Sequence, residues 1–367
     1  MSIIHVVSVS GGKDSAATLL LAIERFGVHR VRGIFCDTGN EHDAVYEYLD
    51  YLQLATGIAI DRLRADFSAE IANKRIFIAR DVRNKRQYDT KPVFEADGET
   101  PVLKRDGRGN IVMKRAKRGG VMVDVPVQKT IKIGGGRRAR WTNKAKRRAL
   151  AVLHPTGNPF LDLCMWKGRF PSRKAQFCTD HLKRDLAVEY QLNLVEKGFT
   201  VVSWQGVRRD ESLNRRNALK FETIGPSMYV YRPIVDLTAL MVFAYCASKG
   251  LLPNPLYLQD MTRVGCMPCI NVSKDELAAI AKRFIEHIGR IFTWEQLVAA
   301  CSKRQAATFI PAPGRGKVIN DKQAYAKENS IWQVVEWSKT SRGGKQFSLL
   351  TALDEPTACS SAYGLCE

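Results

Sequence analysis

The run Ser10-Gly11-Gly12-Lys13-Asp14-Ser15 constrains this chain more than any other stretch. An apolar, β-branched segment, Ile3 to Val9, precedes it and has the length of one buried strand. Ala16 to Ile23 follows and reads as a helix. A strand, a turn of small residues and a helix gather backbone N–H groups at a helix N-terminus. Those donors, with the positive end of the helix dipole, suit a phosphate. Two glycines let the backbone approach an anion closely and take φ values closed to other residues. Lys13 adds a point charge, and Ser10 and Ser15 add hydroxyl donors. The spacing is not that of a Walker A loop, since no G-x-x-x-x-G-K-[ST] occurs.

A chain of 367 residues can hold one large domain or two modest ones. No apolar run approaches the roughly 20 residues of a membrane span. The N-terminus lacks the basic region of a signal peptide. The expectation is a cytoplasmic protein with no membrane partner. Nine cysteines in such a chain point to metal or redox chemistry rather than a disulfide framework. The net charge of +20 is uneven: residues 73–150 hold 23 Lys and Arg against 7 Asp and Glu. That local excess favours a polyanion, most simply nucleic acid.

Strands and helices alternate before and after the basic region. Val31 to Asp37 reads as a second strand, with Asp37 at the carboxyl edge where open α/β sheets bind ligands. Ile58 to Leu63 reads as a third. The stretch 73–154 then reads as a basic insertion that contacts nucleic acid. Within it, Pro101–Lys104 and Ile111–Lys114 flank a turn and predict a hairpin. Its arginines and lysines would meet phosphates, and Trp141 would stack on a base. Thr200 to Gln205 is a strand that runs into Gly206-Val207-Arg208-Arg209-Asp210-Glu211-Ser212. An arginine just past a strand end can clamp a phosphate bidentately, so Arg208 takes that role, with Arg209 and Arg215 as lesser candidates. An amphipathic helix is expected over 275–291 with Ser273 as its N-cap, and a short one over 331–337.

The first loop resembles the S-G-G-x-D-S pyrophosphate loop (PP-loop) of the ATP pyrophosphatases. That superfamily includes PAPS reductases, sulfurylases, tRNA thiolation enzymes and DNA phosphorothioation enzymes. Four further segments are similar to family elements. Asp37-Thr38-Gly39-Asn40-Glu41 matches D-T-G-x-E, and Cys178-Thr179 with Leu182-Lys183 matches C-T-x-x-L-K. Gly206 to Ser212 matches G-x-R-x-x-E-S, and Asn254-Pro255-Leu256-Tyr257 continues the pattern. The resemblance spans the chain apart from the basic insertion. It implies a doubly wound, mostly parallel α/β sheet of the adenine nucleotide alpha hydrolase-like kind. The nucleotide domain would comprise 1–72 and 155–260, and 261–367 would form a cysteine-bearing helical region. It also implies ATP and Mg²⁺, held by Ser10, Gly11, Gly12, Lys13, Asp14, Ser15, Asp37, Gly206 and Arg208. Lys13, Asp14, Ser15 and Arg208 would serve catalysis. The activity implied is adenylation of a substrate and transfer of sulfur to nucleic acid, from a donor such as a cysteine desulfurase. The alternative is reduction of PAPS or a related sulfonucleotide.

Cys266-Met267-Pro268-Cys269 is a C-x-x-C whose sulfurs can ligate one iron or zinc centre. In iron–sulfur members of the family a cysteine in the C-T-x-x-L-K segment precedes a distant C-x-x-C, which makes Cys178, Cys266 and Cys269 a set. Reductases with that cluster carry two adjacent cysteines at the first position. Here the neighbour is Phe177, so a fourth ligand must come from elsewhere. The expected [4Fe–4S] ligands are Cys266, Cys269, Cys359 and Cys366, with Cys178 the first substitute and Cys164 a weaker one. Zinc is the alternative metal. Cys366 has a second reading, as a reactive cysteine on a C-terminal tail. Cys36, Cys246 and Cys301 sit in apolar contexts and read as packing residues.

Overall fold

The structure is a computed structural model that describes residues 2–84, 87–137, 140–310 and 322–340. Its described residues fall into two compact units, Phe77–Arg147 and the remainder. The larger unit begins with β1 (Ile3–Ser8), α1 (Lys13–Phe26), β2 (Val31–Asp37), α2 (Asp43–Thr56), β3 (Ile60–Arg64) and α3 (Ser68–Arg80), the last running into the second unit. β1 to β3, α1 and α2 form where the sequence signals them, whereas α3 continues across residue 73, where the basic insertion was expected to begin. Val6 and Val7 of β1 are fully buried, as both-face burial of a parallel strand requires. Leu19 of α1 and Leu49 and Leu52 of α2 are also fully buried, each contributing about 1.5–3 kcal/mol. Gly57 ends α2 in the left-handed conformation, at φ +70°.

The second unit contains β4 (Gln87–Pro92), β5 (Met113–Arg118), β6 (Val121–Pro126) and β7 (Thr130–Arg137). β4 pairs antiparallel with β7, and β5 with β6. The expected turn after Lys104 is present: the Asp106 N–H donates to the Asn110 carbonyl and Arg105 bridges Ile111. No described side chain between 87 and 137 is fully buried. Next comes α4 (Asn143–Val152), which also crosses the unit boundary. Trp141 just before it is only 3% exposed. This corrects the expectation that Trp141 stacks on a base: its ring lies inside the protein, so neither face is offered to a nucleotide.

The chain continues with α5 (Pro159–Lys167), α6 (Phe177–Thr179), a π-helical turn over Asp180–Arg184, α7 (Asp185–Glu196) and β8 (Thr200–Trp204). Then come β9 (Phe221–Gly225), β10 (Met228–Tyr231) and α8 (Ala239–Ser248). Six strands form the central sheet in the order β3-β2-β1-β8-β10-β9. All pairings are parallel except β10 with β9. The connection leaves β1 toward β2 on one side and resumes at β8 on the other. The carboxyl ends of β1 and β8 therefore flank the topological switch point, where open α/β sheets bind ligands.

α9 (Lys274–Arg283), α10 (Ile285–Cys301), α11 (Lys322–Glu328) and α12 (Ile331–Ser338) complete the larger unit. Ser273 caps α9 as expected, accepting from the Glu276 N–H at 3.2 Å. The single helix expected over 275–291 is instead two. Phe284 leaves the helical region at φ −131°, ψ 54°, and its buried ring meets His42 edge-on. No described helix is long and apolar enough to cross a membrane.

Glu295 of α10 is buried and organises this end of the chain. Its two carboxylate oxygens accept the backbone N–H groups of Phe309 at 2.7 Å and Ile331 at 3.0 Å. Burial pushes its carboxyl up from the ordinary 4.5 to about 7. The folded state thus binds this proton more tightly than the unfolded state. The contribution of Glu295 to stability is greatest below pH 4.5 and declines as pH rises toward 7. Glu295→Ala leaves two buried N–H groups without acceptors and should cost about 2–4 kcal/mol. It should also flatten the decline between pH 4.5 and 7, which thermal unfolding across that range will read out.

Candidate active site

The glycine loop that contains Ser10 to Ser15 connects β1 to α1. Gly11 takes φ +82°, and a Cβ there would stand 2.9 Å from the Val45 Cγ1 atom of α2, so glycine is required twice over. The Ser15 hydroxyl donates to the Gly12 carbonyl at 2.9 Å and accepts from the Ser10 N–H at 3.1 Å, which closes the turn. Gly12 is the N-cap of α1 and brings no side chain to cap it. The first N–H groups of a helix have no intrahelical partners. Here the Lys13 N–H donates to the Tyr257 hydroxyl at 3.0 Å, and Asn254 Nδ2 donates to the Gly11 carbonyl at 3.2 Å. The N-P-L-Y segment thus braces the loop, a role the sequence did not disclose for Asn254 and Tyr257.

The loop after β8 meets the same place. Gly206 packs against the backbone of Asp14: a Cβ would lie 2.9 Å from the Asp14 carbonyl carbon and 3.0 Å from the Ser15 nitrogen. Two residues on, Arg208 Nε donates to Asp14 Oδ1 at 2.8 Å, with both side chains buried. Lys13 Nζ holds the other oxygen of Asp14 at 3.0 Å. Burial disfavours the Arg208 charge, but Asp14, then Asp210 and Glu211, outweigh it and hold the guanidinium charged. Arg208 therefore joins the two loops through Asp14. Arg209 and Arg215 are engaged elsewhere, Arg209 with Asp236 and the Ala218 carbonyl, Arg215 with Glu211. Asp37, at the end of β2, accepts from the Gly39 N–H at 2.8 Å, the Tyr46 hydroxyl at 2.8 Å and Arg64 Nη1 at 3.0 Å.

The C-x-x-C loop is bound to the end of β2, one strand from the nucleotide loop. The Met267 N–H donates to the Asn40 carbonyl at 2.7 Å, and Asn40 Nδ2 donates to the Pro268 carbonyl at 3.0 Å. Arg290 of α10 donates to Asn40 Oδ1 at 3.0 Å and to the Met267 carbonyl at 3.1 Å. Cys266 Sγ lies 3.3 Å from the Thr38 hydroxyl and 3.5 Å from Glu41 Oε1. Burial raises the Cys266 thiol; Glu41 adds to the rise and Lys183 opposes it. Burial likewise pushes the Cys178 thiol to about 12, with Cys269 adding to the effect. Lys183 lies within electrostatic reach of Cys266, Cys269 and Cys178, and of Glu41. Cys164 is fully buried and is affected by Cys178 in turn.

Of the expected cluster ligands, the structure thus gathers Cys178, Cys266 and Cys269, while Cys359 and Cys366 lie outside the described residues. Three thiols and a cation suit the anionic thiolate set that an iron–sulfur cluster takes. For a single zinc the fit is poorer. Tetrahedral Zn–S bonds of about 2.3 Å need sulfurs close together. Among the described residues, no group of three potential ligands that includes a cysteine has its ligand atoms all within 4.8 Å of one another. His42, Glu286 and His287 do satisfy that spacing. Their tautomers oppose metal binding: His42 Nδ1 accepts the Ala44 N–H at 3.0 Å, and His287 Nδ1 faces Arg290 Nη2 at 2.7 Å. Each neutral ring then carries its proton on Nε2, the atom a metal would need.

Sequence reasoning placed the loop, Asp37, Gly206 and Arg208 and named the cysteines. It missed Glu41, Thr38, Asn40 and Lys183 as companions of the thiols, although all four stand inside segments it singled out. Arg290 carried no signal, since one arginine on an amphipathic helix is indistinguishable from a surface charge.

Residues 4–91 and 165–272 match the family model described as the phosphoadenosine phosphosulfate reductase domain. An uncharacterised 37.8 kDa protein from the gpa 5′ region of Escherichia phage 186 is 41% identical over 378 residues, covering 100% of this chain and 97% of that one. A solved phosphoadenylyl-sulfate (PAPS) reductase from Candida auris, a phosphate complex, is 13% identical, with a TM-score of 0.34 over 73% of this chain and 83% of its own. The most direct check of the site is Gly206→Ala. Its methyl group meets backbone rather than a flexible side chain, so the loop must shift. Adenine-nucleotide affinity measured by calorimetry should fall at least tenfold, about 1.4 kcal/mol; undiminished affinity would show that the seam between the loops does not shape the binding surface.

Proposed function

Because this chain belongs to the phosphoadenosine phosphosulfate reductase family, we propose that it is a PP-loop enzyme that splits ATP and transfers sulfur to nucleic acid. One observation carries the nucleotide part of this reading: the first turn of α1, which its N-cap Gly12 leaves without a side-chain cap, Lys13 and the Asp14–Arg208 pair meet at the switch point of the sheet. Backbone N–H groups and Lys13 would hold the pyrophosphate, and Mg²⁺ would arrive with the phosphates, which supply most of its ligands. An oxygen of the substrate attacks the α-phosphate and pyrophosphate leaves, its growing charge met by the same donors. Catalysis here is positioning and charge stabilisation.

The second half uses a persulfide carried by a donor such as a cysteine desulfurase. Its terminal sulfur attacks the adenylated centre, and AMP leaves with the oxygen. A thiol then attacks the donor-side sulfur, releasing the thiolated product and leaving a disulfide. Cys178, Cys266 and Cys269 would hold a [4Fe–4S] cluster, with Cys359 or Cys366 as the fourth ligand. When bound, such a cluster supplies a redox-active centre. The nucleic-acid part rests on charge: 23 Lys and Arg against 7 Asp and Glu between 73 and 150 exceed what a small anion requires.

The family's name favours a second reading, reduction of PAPS. The loop and Arg208 would then grip the sulfonucleotide. A thiol such as Cys366 would attack its sulfur, releasing the adenine bisphosphate, and an external thiol would free sulfite. Two assays separate the readings. ATP conversion to AMP and pyrophosphate, stimulated by DNA or RNA, is expected under the first; sulfite release from PAPS with a thiol reductant is expected under the second. Lys13→Ala should lower ATP turnover at least a hundredfold, about 2.7 kcal/mol, with an unchanged circular dichroism spectrum. Wild-type turnover in that variant would remove the loop from catalysis. Anaerobically purified protein should absorb visible light and contain iron, and Cys266→Ser and Cys269→Ser should each lose both; stoichiometric zinc without iron would replace the cluster with the alternative metal.

A further inference from the structure

We infer that the β5–β6 ribbon is a groove-inserting element and that the nucleic acid it takes is duplex DNA. The inference rests on the nucleic-acid reading above and goes further by naming the form of the acid. The two strands are joined by Gly119-Gly120 at φ +57° and +88°, a tight two-residue turn of the primed type that projects a straight, twisted ribbon. No described side chain on either strand is fully buried; Val121 is 65% and Met122 58% exposed.

The register fixes what each face displays. Lys114 pairs with Val125 and Ala116 with Val123 on one face, while Arg115 pairs with Asp124 and Lys117 with Met122 on the other. Cations therefore stand on both faces. Asp124 is the only acid on the ribbon, and it lies 3.8 Å from Arg115. Lys114 and Lys117 have no ion-pair partner among the described residues.

Charge on both faces selects the occupant. An element that lies on a lipid surface separates an apolar face from a charged one; this ribbon sets Lys114 among valines on one face and Arg115 and Lys117 beside methionine on the other. A groove presents phosphates on both walls. Two strands about 4.8 Å apart, with their side chains, match the roughly 12 Å width of the B-DNA major groove, which admits a two-stranded ribbon. The major groove of A-form RNA is too deep and narrow for side chains to read. The exposed Met122, on the face that carries Arg115 and Lys117, would meet thymine methyl groups, the apolar feature of that groove.

Fluorescence anisotropy on the full chain tests this, with a short duplex DNA, its single strand, the corresponding duplex RNA and vesicles of anionic phospholipid. Wild type should bind the duplex DNA most tightly of the four. K114A/K117A should weaken that binding about tenfold and lower the salt slope by about two, at roughly 0.9 for each phosphate no longer neutralised. K104A/K129A, equal in charge but off the ribbon, should weaken it clearly less. Circular dichroism will confirm that these surface variants fold. If wild type binds duplex DNA and K114A/K117A binds it unchanged, or both double variants weaken it equally, the ribbon does not touch the DNA while nucleic-acid binding stands. Equal affinity for duplex RNA or single strand, or tighter binding to vesicles, overturns the groove. If no nucleic acid binds wild type, the underlying reading falls with it.

Discussion

The buried ion pair between Asp14 and Arg208 is the constraint on which the candidate site depends. Asp14 stands in the first turn of the helix after β1, and Arg208 lies in the loop after β8. Nothing local brings them together. Once the two parallel strands lie side by side, Gly206 allows the loops to touch and the pair closes at 2.8 Å. Such a pair adds little net stability over an apolar contact, because both charges lose their water. Removing one partner is different: it strands a buried charge, at about 3–5 kcal/mol. The pair therefore fixes one arrangement of the two loops more than it strengthens the fold. Lys13 shares the same carboxylate, so the loop's cation is held beside the pair.

A second lock sits one strand away. Asn40 links the turn after β2 to the C-x-x-C loop in both directions, and Arg290 spans the two from α10. The thiols consequently lie on the same sheet edge as the nucleotide loop, held by hydrogen bonds to backbone rather than by packing alone. Buried thiols resist ionisation, and Lys183 offsets part of that resistance for Cys266 and Cys178. A thiolate-binding group placed there meets a cation already in position.

The unit spanning Phe77–Arg147 follows other rules. Among the described residues its strands bury no side chain fully, so a hydrophobic core does not explain their form. Tight turns and main-chain pairing do, as at Gly119-Gly120 and across Val93, Val102 and Lys129. Side chains freed from packing are available for charge, and the sequence fills them with lysine and arginine.

Short-range physics made much of this legible without coordinates. Strand, glycine loop and helix around Ser10–Ser15, the carboxylate at the end of β2 and the arginine past β8 all follow from apolar patterning and turn chemistry within a few residues. The resemblance carried by those segments implied a mostly parallel sheet, and the six-stranded sheet is parallel in all but one pairing. What only the tertiary structure decided are the pairings across the chain. Arg208 reaches Asp14 across 194 residues and Arg290 reaches Asn40 across 250, and no pattern in either neighbourhood announces the partner. For the same reason Trp141 reads as an exposed aromatic in a basic run yet is buried, and Phe284 breaks a helix that its sequence period would continue. Periodicity reports what a segment can form; which side chains meet, and which face is covered, is set by the packing of segments far apart in the chain.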